Sequence, residues 1–355
     1  MATRISKKEA AEDSALAAVR PGNTPLFDWH RTAWQQLLAM RERLPHALLL
    51  HGAAGTGKTV FAERFAQALL CERHQGLEPA CGSCPSCNWY LQGNHPDCRL
   101  LRPEALDDKG DDAKEGKEGS REIRIDQVRA LADFMNLSTH RRGLRIVLLY
   151  PAESLNAASS NALLKMLEEP PPSTLFLLVA QALERILPTI LSRCRKFALP
   201  APSPEQALAW LRSQQVADAE TWLACEGGAP LAARDMAQQG RGEDLALWLG
   251  QLAQASTEGA LRVADKLQKT PPALLLAWMQ RWLYDMLSLK MAQQLRYYPQ
   301  YQTQLRALAA RLDARQILAA LKLCQERRLI IEHPLAPKLL LEDMLLEYQS
   351  CLRQS

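Results

Sequence analysis

Residues 51–60 read HGAAGTGKTV, and within them Gly52, Gly57, Lys58 and Thr59 meet the spacing G-x-x-x-x-G-K-[ST], with Gly55 inside the loop. Such a stretch can cradle phosphate. Glycines let backbone N–H groups turn inward toward phosphate oxygens, and the start of a helix adds favourable partial charge. Lys58 would reach the β- and γ-phosphates, and Thr59 would ligate Mg²⁺. A second reactive set follows at Cys71, Cys81, Cys84 and Cys87, with Gly82 and Pro85 to turn the chain. Four thiolates within tetrahedral reach suit Zn²⁺, and a site filled by sulfur leaves no position for water, which makes the metal structural. Without metal, clustered thiolates would repel one another and oxidise readily. The third set is Ser192-Arg193-Cys194. Arg193 has two readings, an ordinary surface charge or an arginine finger reaching a neighbouring subunit's γ-phosphate, which contributes roughly 10³–10⁵ in rate. Composition does not choose between them.

A phosphate loop that hydrolyses ATP needs carboxylates on the adjacent strand, one to help hold Mg²⁺ and often a second to orient the attacking water. After RIVLL those positions are Tyr150 and Pro151. A phenol is a poor Mg²⁺ ligand at neutral pH, and proline has no side-chain base. Glu153 could substitute, but the turn at Pro151 is expected to point it away. The residues therefore predict ATP and Mg²⁺ binding with little or no turnover.

These groups need elements to position them. Ala47–Leu50 is an apolar run before the loop, and Val60–Leu70 carries apolar residues at helical spacing after it, so the motif has its strand–loop–helix context. Thr32–Arg43 reads as an amphipathic helix. Leu144–Tyr150, Leu175–Ala180 and Arg195–Leu199 read as further strands, the last preceded by Leu187–Cys194. Ile123–Leu137 reads as a helix with Ile125, Val128, Leu131 and Ala132 on one face. Another runs from Asn161 until Glu168-Glu169 and Pro170-Pro171-Pro172 stop it. Alternation of strands and helices predicts a parallel sheet with helices on both faces. His95 reads as a turn residue before Pro96, and Cys98 as a small buried hydrophobe.

From Pro200 the strand signal ends. Short helices are expected over Pro204–Gln214 and Ala217–Glu226, with another opening at Gly227-Gly228-Ala229-Pro230. Beyond about residue 242 everything reads helical, with Trp278 and Trp282 as helix core rather than a platform for bases. The expected organisation is a polar, disordered extension over 1–22, a phosphate-loop domain over 23–199, a small helical domain over 200–242 and an all-helical domain over 243–355. The first domain would carry the cysteine module at 71–98 and a disordered insertion at 103–120, where PEALDDKGDDAKEGKEGS holds too little apolar surface to order itself.

The chain has 355 residues, 47% of them hydrophobic and 23% charged, which is the composition of a globular protein of more than one domain. No apolar run approaches the ~18 residues of a membrane span. Residues 1–22 lack the apolar core of a secretory signal, so a cytoplasmic location is expected. A formal charge of +4 is too small by itself to imply nucleic-acid binding. Nine cysteines, four of them clustered, suggest metal in a reducing compartment rather than disulfides.

The order of motifs carries a family resemblance. HGAAGTGKT is followed by the four cysteines, GNHPD (Gly93–Asp97), IRIDQVR (Ile123–Arg129), SNALLKMLEEPPPST (Ser160–Thr174), ILPTILSRC (Ile186–Cys194) and HPLAPKLLLEDMLL (His333–Leu346). Over roughly residues 25–350 this resembles the delta-prime family of bacterial DNA polymerase III clamp-loader subunits. The gamma/tau motor subunits share the first six motifs but carry Asp-Glu where this chain has Tyr150-Pro151. The resemblance implies an AAA+ module, made of a sheet domain and a helical lid, followed by a helical collar. It further implies a hetero-pentameric ring with gamma/tau motors and delta, which opens the sliding clamp and places it on primed DNA. In that family delta-prime is the stationary member. Carried over, Arg193 within Ser192-Arg193-Cys194 is the finger acting in trans, and Cys71, Cys81, Cys84 and Cys87 hold zinc. Two departures stand out. The phosphate loop is intact where some family members have a degraded one, and Ala232 stands about where the motor's nucleotide-sensing lid arginine would, with Arg234 two residues late.

Three functions compete. A non-hydrolysing clamp-loader subunit fits all the motifs. An active gamma/tau-type ATPase is favoured by Lys58-Thr59 and opposed by Tyr150-Pro151. A nucleotide kinase leaves the cysteines, Ser-Arg-Cys and the helical third domain unexplained.

Overall fold

The computed structural model describes residues 24–106, 119–136, 143–330 and 336–353. The expected extension over 1–22 therefore lies outside the described residues, as do His333, Pro334 and Leu335 and most of the 103–120 insertion. The chain divides into two compact units, Met1–Ala201 and Pro202–Ser355.

In the first unit five strands form one parallel sheet: β1 (Ala47–His51), β2 (Cys98–Leu101), β3 (Arg145–Leu149), β4 (Thr174–Ala180) and β5 (Arg195–Ala198). Their spatial order is β2-β3-β4-β1-β5, with Leu49 registered against Leu178 on one side and Lys196 on the other. The central strands are buried along their whole length because both faces are covered, which explains their unbroken apolar sequences. Alternate residues serve opposite cores. Leu48, Leu50, Ile146, Leu148, Leu177 and Val179 pack with Trp34 of α1 (Arg31–Ala39) and Phe61 and Phe65 of α2 (Lys58–Leu70). Tyr90, from α3 (Pro85–Gln92), joins that core. Leu49, Val147, Leu149, Phe176 and Leu178 pack with α4 (Ile125–Asn136), α5 (Ala157–Glu168) and α6 (Pro188–Arg193) through Val128, Leu131, Leu163 and Ile190.

The expected parallel sheet covered on both faces is present, with one strand more than the sequence announced. β2 is only four residues long and lies at the sheet edge with Arg99 partly exposed, too short a run to show a period. Cys98 is buried within it, as expected of a small hydrophobe. On α4 the apolar face runs through Val128, Leu131, Phe134 and Met135, and Ala132 is exposed, contrary to its expected place on the buried face. The larger side chains nearby fill the contact and leave alanine no role in it. At the ends of the insertion, Glu104–Leu106 forms a short 3₁₀ turn and the Ala105 N–H donates to the Ser120 carbonyl at 3.0 Å. Order there exceeds the sequence expectation because the two stems pair with each other.

The described residues of the second unit form helices and their connections, with no strand among them. Its first helices are α7 (Pro204–Ser213), α8 (Ala219–Cys225) and α9 (Pro230–Gln238), followed by α10 (Gly242–Gln254), α11 (Thr257–Leu267), α12 (Pro272–Ala292), α13 (Gln302–Arg311), α14 (Ala314–Ile330) and α15 (Pro337–Arg353). α7 begins with a full capping box, in which Ser203 and Gln206 satisfy each other's backbone N–H. A small core of Ala207, Leu211, Ala219, Leu223 and Ala233 holds α7–α9 together. The larger core is built on Trp248, Trp278 and Trp282, all fully buried, which settles the two tryptophans of α12 as helix core. Trp222 packs against both cores, and Arg281 forms a two-bond ion pair with Glu226 at 2.6 and 2.7 Å across them.

Candidate functional site: a phosphate loop and a four-cysteine cluster

The phosphate loop joins the carboxyl end of β1 to the amino end of α2, outside the strand ends where open α/β sheets bind their ligands. Its glycines are required by space. A Cβ at Gly52 would lie 2.7 Å from the Leu199 carbonyl oxygen, and one at Gly57 would drive into the ring of Phe27. Gly55 and Gly57 also hold positive φ, +65° and +90°, where side chains are strained. Gly57 is the N-cap of α2 and no side chain caps that end, so the first-turn N–H groups stay available to an anion. Thr59 follows Lys58 in that first turn.

Beneath the loop lie residues that motif reading passed over. Phe27 stacks on Trp29 at 4.6 Å, and the Trp29 indole N–H donates to the Thr56 carbonyl at 2.9 Å, fixing the loop from below. His30 is fully buried against Phe61. Burial, and then the nearby Lys58 charge, push its pKa down to about 4. The signal was the aromatic-rich run Phe27-Asp28-Trp29-His30, but no motif links it to a loop that starts some two dozen residues later.

Lys58 is buried and donates to the Ala53 carbonyl at 2.5 Å within its own loop. Burial lowers its pKa to about 8, and the negative charge of Glu153 works against that shift. Glu153 therefore stands within electrostatic reach of the loop. This corrects the expectation that Pro151 turns it away. The chain re-enters a 3₁₀ turn at Ala152–Ser154, and the Gln181 N–H just past β4 donates to Glu153 Oε1 at 3.0 Å. At the position of the missing carboxylate, Tyr150 is buried and donates its hydroxyl to Glu63 Oε1 at 3.0 Å, which occupies the phenol with α2.

Arg193 lies at the last turn of α6, about one third exposed, with Nη2 2.5 Å from Glu168 Oε1 and Nη1 donating to the Thr189 carbonyl at 3.0 Å. Ser192 donates to the same carbonyl at 3.0 Å, and Cys194 is buried. Arg234 pairs with Asp235 and lies over the Trp210 ring.

At the other end of α2, Cys71 is its C-cap. The sulfurs of Cys71, Cys81, Cys84 and Cys87 all lie within 4.8 Å of one another, and Cys81 and Cys87 are 3.9 Å apart. Tetrahedral zinc with ~2.3 Å bonds needs sulfurs roughly 3.8 Å apart, so the donor set fits. Backbone N–H groups already point at three of the sulfurs, Cys81 at Cys71, Cys84 at Cys81 and Cys87 at Cys84, at 3.3–3.4 Å. Such donors stabilise thiolate. The Ser83 N–H leads in drawing the exposed Cys81 thiol down to about 6, while burial pushes Cys71 and Cys87 up. The cluster is tied to the sheet domain by Tyr90, whose hydroxyl donates to the Glu63 carbonyl at 2.6 Å, and by Ser86, which donates to the Leu70 carbonyl at 2.7 Å. His95 is more than a turn residue. Its ring is buried, bonded to Ser86 at 2.8 Å and accepting the Asp97 N–H at 3.0 Å.

Residues 30–203 match the family model described as DNA polymerase III, delta subunit, and residues 247–350 match the model of that subunit's C-terminal region. The chain is 37% identical over 268 residues to a DNA polymerase III subunit delta' of Pseudomonas aeruginosa, covering 74% of this chain and 77% of that protein. It is 33% identical over 272 residues to the same-named protein of Yersinia pestis, covering 74% and 76%. A DNA polymerase III subunit tau of Bacillus subtilis is 28% identical over 204 residues, 58% of this chain and 33% of that one.

Proposed function

The chain belongs to the delta-prime family of bacterial DNA polymerase III clamp-loader subunits, and from that premise we propose that it is a stationary, non-hydrolysing member of the loader ring. The observation that carries this reading is Tyr150. At the end of β3, where a hydrolysing site keeps a carboxylate, a buried phenol is bonded to Glu63. Nothing at Tyr150 or Pro151 can activate water.

The phosphate loop holds Mg-nucleotide without turnover, through the open N–H groups of α2, Lys58 and Thr59. Lys58 must leave the Ala53 carbonyl to do so. Arg193 acts outward, on the γ-phosphate of an adjacent gamma/tau motor. Its pair with Glu168 is half-exposed and so worth only ~0–1 kcal/mol, little to give up when a neighbouring phosphate is offered. Cys71, Cys81, Cys84 and Cys87 hold structural Zn²⁺. The segment over 200–242 serves as the lid and the remaining helices as the collar of a hetero-pentamer with gamma/tau and delta. That ring loads the sliding clamp onto primed DNA.

The test is DNA- and clamp-stimulated ATP hydrolysis by the reconstituted loader. Arg193→Ala should remove most of the turnover at the adjacent motor site, while Lys58→Ala should leave turnover near normal. Loss of turnover with Lys58→Ala would instead make this chain a working motor.

A further inference from the structure

Glu153 has one oxygen employed and one left over. Oε1 accepts the Gln181 N–H, whereas Oε2 is sealed from solvent and has no hydrogen-bond partner. The side chain sits where β3 and β4 end, neighbouring strands whose carboxyl ends, with that of β1, border the phosphate loop. A carboxylate oxygen withdrawn from water without a donor is costly, so its surroundings are complete only when a cation or donor arrives. The Lys58 ammonium feels the charge of Glu153, but it is bonded to Ala53 and is the group a phosphate would claim. That leaves a hard divalent cation, which takes carboxylate oxygens beside nucleotide phosphates.

We propose that Glu153 supplies the carboxylate for the Mg²⁺ of a bound nucleotide, directly or through a metal-bound water, in partnership with the Thr59 hydroxyl. This rests on the reading that the phosphate loop binds Mg-nucleotide. The carboxylate thus reaches the metal from the turn after the strand rather than from the strand end, where Tyr150 and Pro151 stand. From there it neutralises the metal's charge. Its anchored Oε1 keeps it at the carboxyl end of β4, and the positions that would activate a water stay filled by a phenol and a proline. Without metal the same carboxylate opposes the phosphates. Glu153 therefore makes nucleotide affinity depend on Mg²⁺.

The experiment titrates the full-length chain with a fluorescent N-methylanthraniloyl ADP, once in MgCl₂ and once in EDTA. It compares the unaltered protein with Glu153→Gln, which keeps an acceptor for Gln181, and with Lys58→Ala. The unaltered protein should bind at least roughly tenfold more tightly with Mg²⁺. Glu153→Gln should lose that gain while binding as well or better in EDTA, which also shows that the variant is folded. Lys58→Ala should bind poorly in both buffers. A full metal dependence retained by Glu153→Gln would overturn the proposal, and so would equal tightening in both buffers, which would make Glu153 merely a counter-charge for Lys58. If the unaltered chain shows no saturable binding in either buffer, the nucleotide reading itself falls and this one with it.

Discussion

Lys58 keeps its charge in surroundings that resist it. The side chain is buried, one carbonyl accepts its proton, and burial brings its pKa from the usual lysine value to about 8. A basic group lowered in the folded state binds fewer protons there than in the unfolded chain. It therefore destabilises at neutral pH, and the loss is recovered as pH rises from about 8 toward the unfolded value. The full linkage is worth at most ~3 kcal/mol. Lys58→Met should therefore raise stability at pH 7 by about 1–3 kcal/mol in urea denaturation, with the gap to the unaltered chain closing by pH 10. An unchanged or lowered midpoint at pH 7 would count against this strain. His30 works in the same direction at the acid end. Its folded pKa of about 4 lies below the ordinary 6.5, so its contribution is complete above 6.5 and is lost as pH falls toward 4. Acid sensitivity between pH 6.5 and 4 should therefore be smaller in His30→Phe than in the unaltered chain, measured by the same denaturation across that range.

Elements were legible where local sequence decides them. The strand–loop–helix around Lys58 and the first three helices of the second unit follow from contiguous periodicity and turn residues, and they lie within a few residues of where the sequence predicts them. β2 was not legible, because four residues at a sheet edge are set by pairing with β3, far along the chain. Glu153 was misjudged for the same reason. Its direction is fixed by Gln181 on the neighbouring strand's end, and a turn after proline says nothing about that. In the second unit the Glu226–Arg281 pair was equally invisible, since its residues lie 55 positions apart. Glu226 has only 8% of its side chain exposed, so removing its partner leaves a buried charge. Arg281→Ala should cost ~3–5 kcal/mol in urea denaturation, and adding Glu226→Gln should restore part of it. Simple additivity of the two losses would mean that the pair does not join the small core of α7–α9 to the larger one.

At the scale of the whole chain, two compact units that each hold their own cores imply that disturbance in one unit need not reach the other. The cysteine cluster tests this directly. It hangs on Cys71 at the end of α2, about 20 Å of helix from the phosphate loop at that helix's start. Bound metal would hold the chain from Cys71 to Cys87 together, and its binding energy would be folding energy for that segment. The ties from Tyr90 to the Glu63 carbonyl and from Ser86 to the Leu70 carbonyl then carry the order into α2. Stripping the metal with a chelator, or replacing Cys81 and Cys84 by serine, should speed amide hydrogen exchange over residues 71–98 and the last turn of α2. Exchange in the unit Pro202–Ser355 should stay unchanged, because its packing rests on Trp248, Trp278 and Trp282 and owes nothing to the sulfurs. Equal acceleration in both units would mean that the chain unfolds as one cooperative body. No effect anywhere would mean that the four sulfurs hold no structural metal and that α3 keeps its place through Tyr90, Ser86 and His95 alone.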